Sequence, residues 1–143
     1  MQILSASTEF IEYNTYADLP VINNHPQLWL DYIDNEIVKE QDSVTIQKSS
    51  GLVNLSGWAL DSRIHDVAGN VFLKVGNEFY SGSYGITRNS VSDYFNDPNL
   101  RNSGFQFNIS VEELISAGKF SFVIISKDKT YQYAPIEYKV VVN

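Results

Sequence analysis

The chain reads as an all-β protein, an antiparallel β-sandwich with one or two short helices, and three observations carry that reading. Strand-favouring Val, Ile, Phe, Tyr, Trp and Thr number 50 of 143 residues, against 16 for the helix formers Ala and Leu together. Apolar and polar residues alternate in short runs. Turn-forming Gly, Asn, Asp and Pro separate those runs at roughly 8 to 15 residue intervals, the rhythm of a sandwich.

Residues 1–26 carry scattered aromatics, Phe10, Tyr13 and Tyr16, and end in the turn-forming Asn23-Asn24-His25-Pro26, so they read as a leader or linker. Residues 27–143 read as one domain. From Gln27, Leu28, Leu30 and Tyr32 alternate as a strand, and Val44 with Ile46 forms a short second one. After Gly51, the run Leu52 to Leu60 is a central strand. Val71, Leu73 and Val75 then oppose Phe72 and Lys74, and Gly76-Asn77 turns the chain into a strand from Glu78 to Tyr84. Val91, Tyr94 and Phe95 share one face of a short helix, with Asn89 or Ser90 as its cap, and Asp97-Pro98-Asn99 ends it. Phe105, Phe107 and Ile109 alternate as a strand, Val111 to Ala117 makes two helical turns before Gly118, and strands Lys119 to Ser126 and Tyr131 to Val142 flank a Lys127-Asp128-Lys129 turn. An Ig-like, a carbohydrate-binding-module-like and a jelly-roll arrangement all suit seven to nine such strands.

Charge and composition narrow the chemistry. A net charge of -7 and a pI near 4.6 disfavour nucleic acid and anionic membrane surfaces as partners. With no cysteine, disulfides, thiolate metal sites and cysteine nucleophiles are excluded. Two histidines, His25 and His65, leave no multi-histidine metal centre. The start of the chain lacks the basic stretch and apolar core of a signal peptide, and the longest apolar run, Phe122 to Ile125, is far too short to cross a bilayer.

The segments Ile33-Asp34-Asn35, Gly57-Trp58-Ala59-Leu60-Asp61, Tyr84-Gly85-Ile86-Thr87-Arg88 with Val91 and Tyr94-Phe95, and Ser103-Gly104-Phe105 follow one another in a characteristic order. In that order they resemble a domain at the carboxyl end of bacterial polytopic membrane proteins that make surface polysaccharide, including lipid-linked sugar transferases. The resemblance implies a non-catalytic β-sandwich accessory module outside the cytoplasm, part of a membrane protein, whose partner is a carbohydrate or the membrane-embedded part of its parent. One position departs from the pattern: an Asp that precedes Val in the family is here Ser90.

Several of these residues have physical roles of their own. Gly57 beside Trp58 suggests close backbone approach with the indole between two sheets, a sugar-stacking platform being the other reading of Trp58. Gly104 before Phe105 reads as a turn or bulge re-entering the sheet. Arg88 and Asp61 are the charged members of the matching segments, and a guanidinium can hold a carboxylate bidentately. Tyr80 and Tyr84 alternate on one hairpin face near that pair, which makes Tyr80, Tyr84, Arg88 and Asp61 the candidate carbohydrate site. Asp93, Asn96, Asp97 and Asn99 concentrate oxygen ligands and form a calcium candidate, with a helix-ending turn as the commoner explanation. No cofactor is implied. Asn54-Leu-Ser and Asn108-Ile-Ser are sequons inside strands. His65-Asp66 lacks the nucleophile elbow of a hydrolase, so a small hydrolase is the weakest reading. A purely structural or protein-protein interaction domain is the main rival to glycan binding.

Overall fold

The structure, a computed structural model, describes residues 12–24 and 26–143. Phe10, His25 and the start of the expected leader lie outside the described residues. In chain order the strands are β1 (Val21–Ile22), β2 (Gln27–Ile33), β3 (Glu36–Ile37), β4 (Ser43–Ile46), β5 (Leu52–Asp61), β6 (Asp66–Val67) and β7 (Asn70–Val75). There follow β8 (Glu78–Ser81), β9 (Ser83–Ile86), helix α1 (Asn89–Phe95), β10 (Gly104–Ser110), helix α2 (Val111–Ala117), β11 (Lys119–Ile125), β12 (Gln132–Tyr133) and β13 (Ile136–Val142). The chain is therefore mostly β, with two short helices among the described residues.

The strands form two sheets. In the first, β11 pairs with β7 on one edge and with β13 and then β12 on the other, and β8, β4 and β1 extend the margins. In the second, β5 lies between β2 and β10, with β3 beyond β2, β9 beyond β10, and β6 on the Leu60–Asp61 end of β5. The pairing is mixed rather than wholly antiparallel, because β1 runs parallel to β12 and β13 parallel to β4. Parallel neighbours need long connections, and both pairs join segments from opposite ends of the chain.

One core fills the space between the sheets. Leu30, Val53, Leu55, Phe105 and Phe107 come from the second sheet, and Val71, Leu73, Phe120, Phe122 and Ile124 from the first. The phase of β5 decides what enters it: Val53, Leu55, Gly57 and Ala59 point inward, so Asn54, Ser56, Trp58 and Leu60 point out. Trp58 is thus not between the sheets, contrary to the expectation from its size. It is half-buried on the outer face, where its ring meets Phe95 of α1 edge-on at 6.0 Å. Gly57 takes the inward position instead. A Cβ there would lie 2.0 Å from the Trp29 carbonyl oxygen and 2.9 Å from the ring of Phe105, its register partner on β10.

Two expected strands are each split. Glu78 to Tyr84 changes sheets at Gly82, where a Cβ would lie 2.3 Å from the Gln106 carbonyl oxygen, so β8 belongs to the first sheet and β9 to the second. Tyr131 to Val142 is divided into β12 and β13 at Ala134-Pro135, where proline cannot donate to the ladder. Gly76-Asn77 does turn β7 into β8, with Val75 opposite Glu78 and Gly76 at φ +61°. Helix α1 is capped by Arg88 rather than Asn89 or Ser90, and without a side-chain hydrogen bond; the Arg88 backbone N–H instead donates to the Arg101 carbonyl. Helix α2 is capped by the Ser110 hydroxyl and closed by Gly118 at φ +77°.

Of the amino-terminal segment, Tyr13, Tyr16 and Leu19 lie on the outer face of the first sheet, before β1 joins that sheet's margin beside β12. Tyr13 and Tyr16 sit in a 3-10 turn (Tyr13–Tyr16); Tyr16 is buried with Phe72, Val123 and Ile125, and Tyr13 stacks on Phe79 at 3.8 Å. The Gln132 amide donates to the Tyr16 and Leu19 carbonyls and accepts from the Tyr13 hydroxyl. That covering explains why β7 and β11 are apolar on both faces.

Candidate functional site

The outer face of the second sheet concentrates exposed aromatics beside planar polar groups. Trp29 on β2 stands directly opposite Trp58 on β5. Asp31 is the extra residue of a β-bulge between Leu30, opposite Gly57, and Tyr32, opposite Ser56, so that Asp31 and Tyr32 both reach the outer face, while Ile33 returns to the core. Without that bulge, Tyr32 would point inward. Trp29 remains 47% exposed and Tyr32 40%. Beside them, Asn54 and Asn108 are register partners joined by a 3.0 Å hydrogen bond from the Asn54 amide, and Gln106 opposes Ser56. One end of the face is walled by α1, whose Val91 and Phe95 pack with Leu60, Trp58 and Leu100; Tyr94 stands out from this wall, 82% exposed.

Arg88 crosses this face. It leaves the start of α1, passes over Gly104, where a Cβ would lie 2.8 Å from its Cγ, and meets Asp31 on β2 at 2.5 Å. Since β5 lies between β10 and β2, the side chain spans the centre of the sheet. Gly104 is the opening for it, at the register shift between β9 and β10.

The four residues expected to form a sugar site are thus dispersed. Arg88 pairs with Asp31, not with Asp61. Asp61 is completely buried at the junction of the sheets, where its carboxylate accepts from the Tyr131 and Tyr133 hydroxyls and the Lys127 backbone N–H. A carboxylate so engaged has no need of a guanidinium. Tyr84 packs against the inter-sheet core, its hydroxyl donating to the Ala59 carbonyl and accepting from the Ala68 N–H; burial pushes its pKa well above the usual tyrosine value. Tyr80, in the other sheet, also leans on the core. Its hydroxyl donates to Glu113 of α2 at 2.5 Å, which, with desolvation, pushes its pKa up to about 12. Neither ring belongs to the outer face of the second sheet. Alternation along residues 78–84 continues through the change of sheet without marking it, and Gly82 is the one local signal.

Asn96 takes the left-handed conformation that ends α1, and the Asp97 carboxylate accepts from the Asn99 N–H to start the 3-10 turn Pro98–Leu100. These are the turn roles that compete with the calcium reading. Among the described residues no group of three or more His, Asp or Glu side chains is placed to hold a metal ion. His65, at φ +53°, stands exposed with its ring against Phe95.

A separate groove of about 640 Å³ runs along the seam between β3 and β4. Its walls, including Ile33, Val38, Val44, Ile46 and Val53, carry no aromatic ring, so it offers a sugar no stacking surface. Among the described residues no helix is long and apolar enough to cross a membrane. No protein-family model, curated protein or solved structure matches the chain.

Proposed function

We propose that this domain is a non-catalytic glycan-binding module, a β-sandwich of Ig-like or carbohydrate-binding-module-like type, acting outside the cytoplasm beside a membrane-bound enzyme of surface-polysaccharide assembly. The observation that carries the binding reading is the pair Trp29 and Tyr32, exposed on one sheet face next to Ser56, Gln106, Asn54 and Asn108. Apolar sugar faces stack on such rings, while amides and hydroxyls both donate to and accept from sugar hydroxyls. The resemblance of the Gly57-Trp58-Ala59-Leu60-Asp61, Tyr84 to Arg88 and Ser103-Gly104-Phe105 segments supports the link to glycan assembly. Burial of Asp61 beneath two tyrosines favours a structural over an acid-base role for the most enclosed carboxylate.

The open sheet buries little of a ligand, so affinity falls in the high micromolar to millimolar range, roughly 4 to 6 kcal/mol. A glycan array followed by titration tests this: the unaltered chain binds saturably, and Trp29→Ala abolishes binding while changing stability by less than about 1 kcal/mol, as suits an exposed position. A second reading has its own support. Ile37, 71% exposed and opposite Tyr32 in register, extends the same face as an apolar patch, which suits a protein partner. Absence of saturable glycan binding, with Trp29 still required for association with a membrane-embedded parent, would favour it.

A further inference from the structure

We infer that the outer face of the second sheet accepts uncharged glycans and rejects acidic ones, and that Asp31 sets this preference by occupying Arg88. The inference rests on the glycan reading above and narrows it.

Among the described residues Arg88 is the cation that the fold lays across this face, and its charge is already matched. The Arg88 to Asp31 contact is 2.5 Å, with the two side chains only 24% and 18% exposed. Half-buried charges at that distance attract strongly, and neither can be left alone without a desolvation cost. The residues that the register places around the pair, Trp29, Tyr32, Asn54, Ser56, Gln106 and Asn108, carry no charge. Amides and hydroxyls of this kind match the mixed donor and acceptor pattern of sugar hydroxyls, and none holds a carboxylate as a guanidinium does.

A uronate or phosphate on the ligand could gain a cation only by drawing Arg88 from Asp31. The Asp31 carboxylate would then sit unpaired beside a second anion. Asp34, whose carboxylate accepts from the Asn54 N–H at the margin of the face, adds to the repulsion. So does the net charge of -7. Rejection of acidic ligands is therefore built from an uncompensated charge that only they would create.

The arrangement makes Asp31→Asn a switch. Asparagine keeps the shape of Asp31 and one acceptor oxygen for Arg88, but removes the charge, so the guanidinium becomes available to a ligand anion. The experiment is a glycan array of neutral and uronate-containing oligosaccharides, with titration of the best binders at low salt and at about 0.5 M salt. For the unaltered chain the expected result is binding confined to neutral glycans, with Kd changing less than about twofold between the two salts. For Asp31→Asn the expected result is a gain of about tenfold or more in affinity for uronate-containing glycans, lost at high salt. An unaltered chain that binds acidic glycans as well as neutral ones overturns the selectivity and leaves the glycan reading standing. So does a folded Asp31→Asn chain that gains no acidic binding. If Asp31→Asn does not fold, the unaltered chain's charge preference and salt response decide alone. Failure to bind any glycan, neutral or acidic, overturns both readings together.

Discussion

The Tyr133 hydroxyl donates to Asp61 at 2.5 Å, and this contact joins the end of β5 in the second sheet to β12 in the first. The same carboxylate holds the Tyr131 hydroxyl and the Lys127 N–H, so one side chain fixes both the tyrosine pair and the β11 to β12 turn. Replacing it with alanine strands three donors in or near the interior, each costing about 1 to 3 kcal/mol when buried and unsatisfied. Asp61→Ala is expected to lose about 4 kcal/mol or more in denaturant unfolding. Asp61→Asn should lose less, because its oxygen still serves the tyrosines while its NH2 opposes the Lys127 N–H. An alanine variant as stable as the parent would show that the junction is not held by this carboxylate.

Several tyrosines share a raised pKa, which gives a stability signature at high pH. Burial is the main cause at Tyr84, Tyr131, Tyr133 and Tyr138, the last reaching about 12, and the bond to Glu113 is the main cause at Tyr80. In the unfolded chain these groups ionise near the ordinary value of 10.0. Between that value and the folded one, the folded state holds more protons, so stability is complete below about pH 10 and falls as pH rises beyond it. Tyrosinate absorbance recorded alongside thermal melts from pH 8 to about 12 checks this. Ionisation of Tyr80, Tyr84, Tyr131, Tyr133 and Tyr138 near pH 10 with no loss of structure would contradict it.

Gly57→Ala tests the tightest approach of the second sheet. The added Cβ meets a backbone oxygen at 2.0 Å, and backbone cannot step aside as a side-chain tip would. Strands β2 and β5 must separate locally, and Phe105 must leave its place over the glycine. The expected loss is at or above the top of the ~1 to 3 kcal/mol range for overpacked cores. A thermal melt within a degree of the parent's would refute the close approach.

The contrast between Gly57 and Trp58 shows what the sequence could and could not convey. Alternation made β5, β7, β10 and β11 legible, and Gly76-Asn77 located a hairpin, because these signals are local. The facing of β5 was also recoverable: Gly57 and Ala59 continue the phase of Val53 and Leu55. Indole size pointed the other way, and phase prevailed because α1 and Leu100 cover Trp58 from outside. The Arg88 to Asp31 pair spans 57 positions in the chain, and among 17 acidic residues nothing local singles out Asp31. Nor did any turn residue mark the bulge that brings Asp31 and Tyr32 to the same face. The candidate site depends on both, so most of it became visible only in three dimensions.

Tyr84→Phe separates a core tyrosine from a ligand tyrosine. Removing the hydroxyl leaves the Ala68 N–H and Ala59 carbonyl without the partner that bridges them. The expected cost is about 1 to 3 kcal/mol, with glycan binding unchanged. Loss of binding at full stability would return Tyr84 to the site.

The covering of the first sheet by the amino-terminal segment leads to the last prediction. Phe72, Val123 and Ile125 would expose an apolar outer face if Tyr16 did not close over them, and such patches promote association. Tyr16 itself is 5% exposed. Its truncation removes a large buried ring, so Tyr16→Ala should cost about 3 to 5 kcal/mol, a value otherwise found for core aromatics. The loss should be shared by Gln132→Ala, because the Gln132 amide holds the Tyr16 and Leu19 carbonyls and so fixes the segment's path. As both act through one contact, their effects should fall short of additive in a double-mutant cycle. Light scattering of Tyr16→Ala should show self-association that the parent lacks. Full stability of Tyr16→Ala, together with unchanged scattering, would show that the segment is a dispensable linker and that the first sheet tolerates an open outer face.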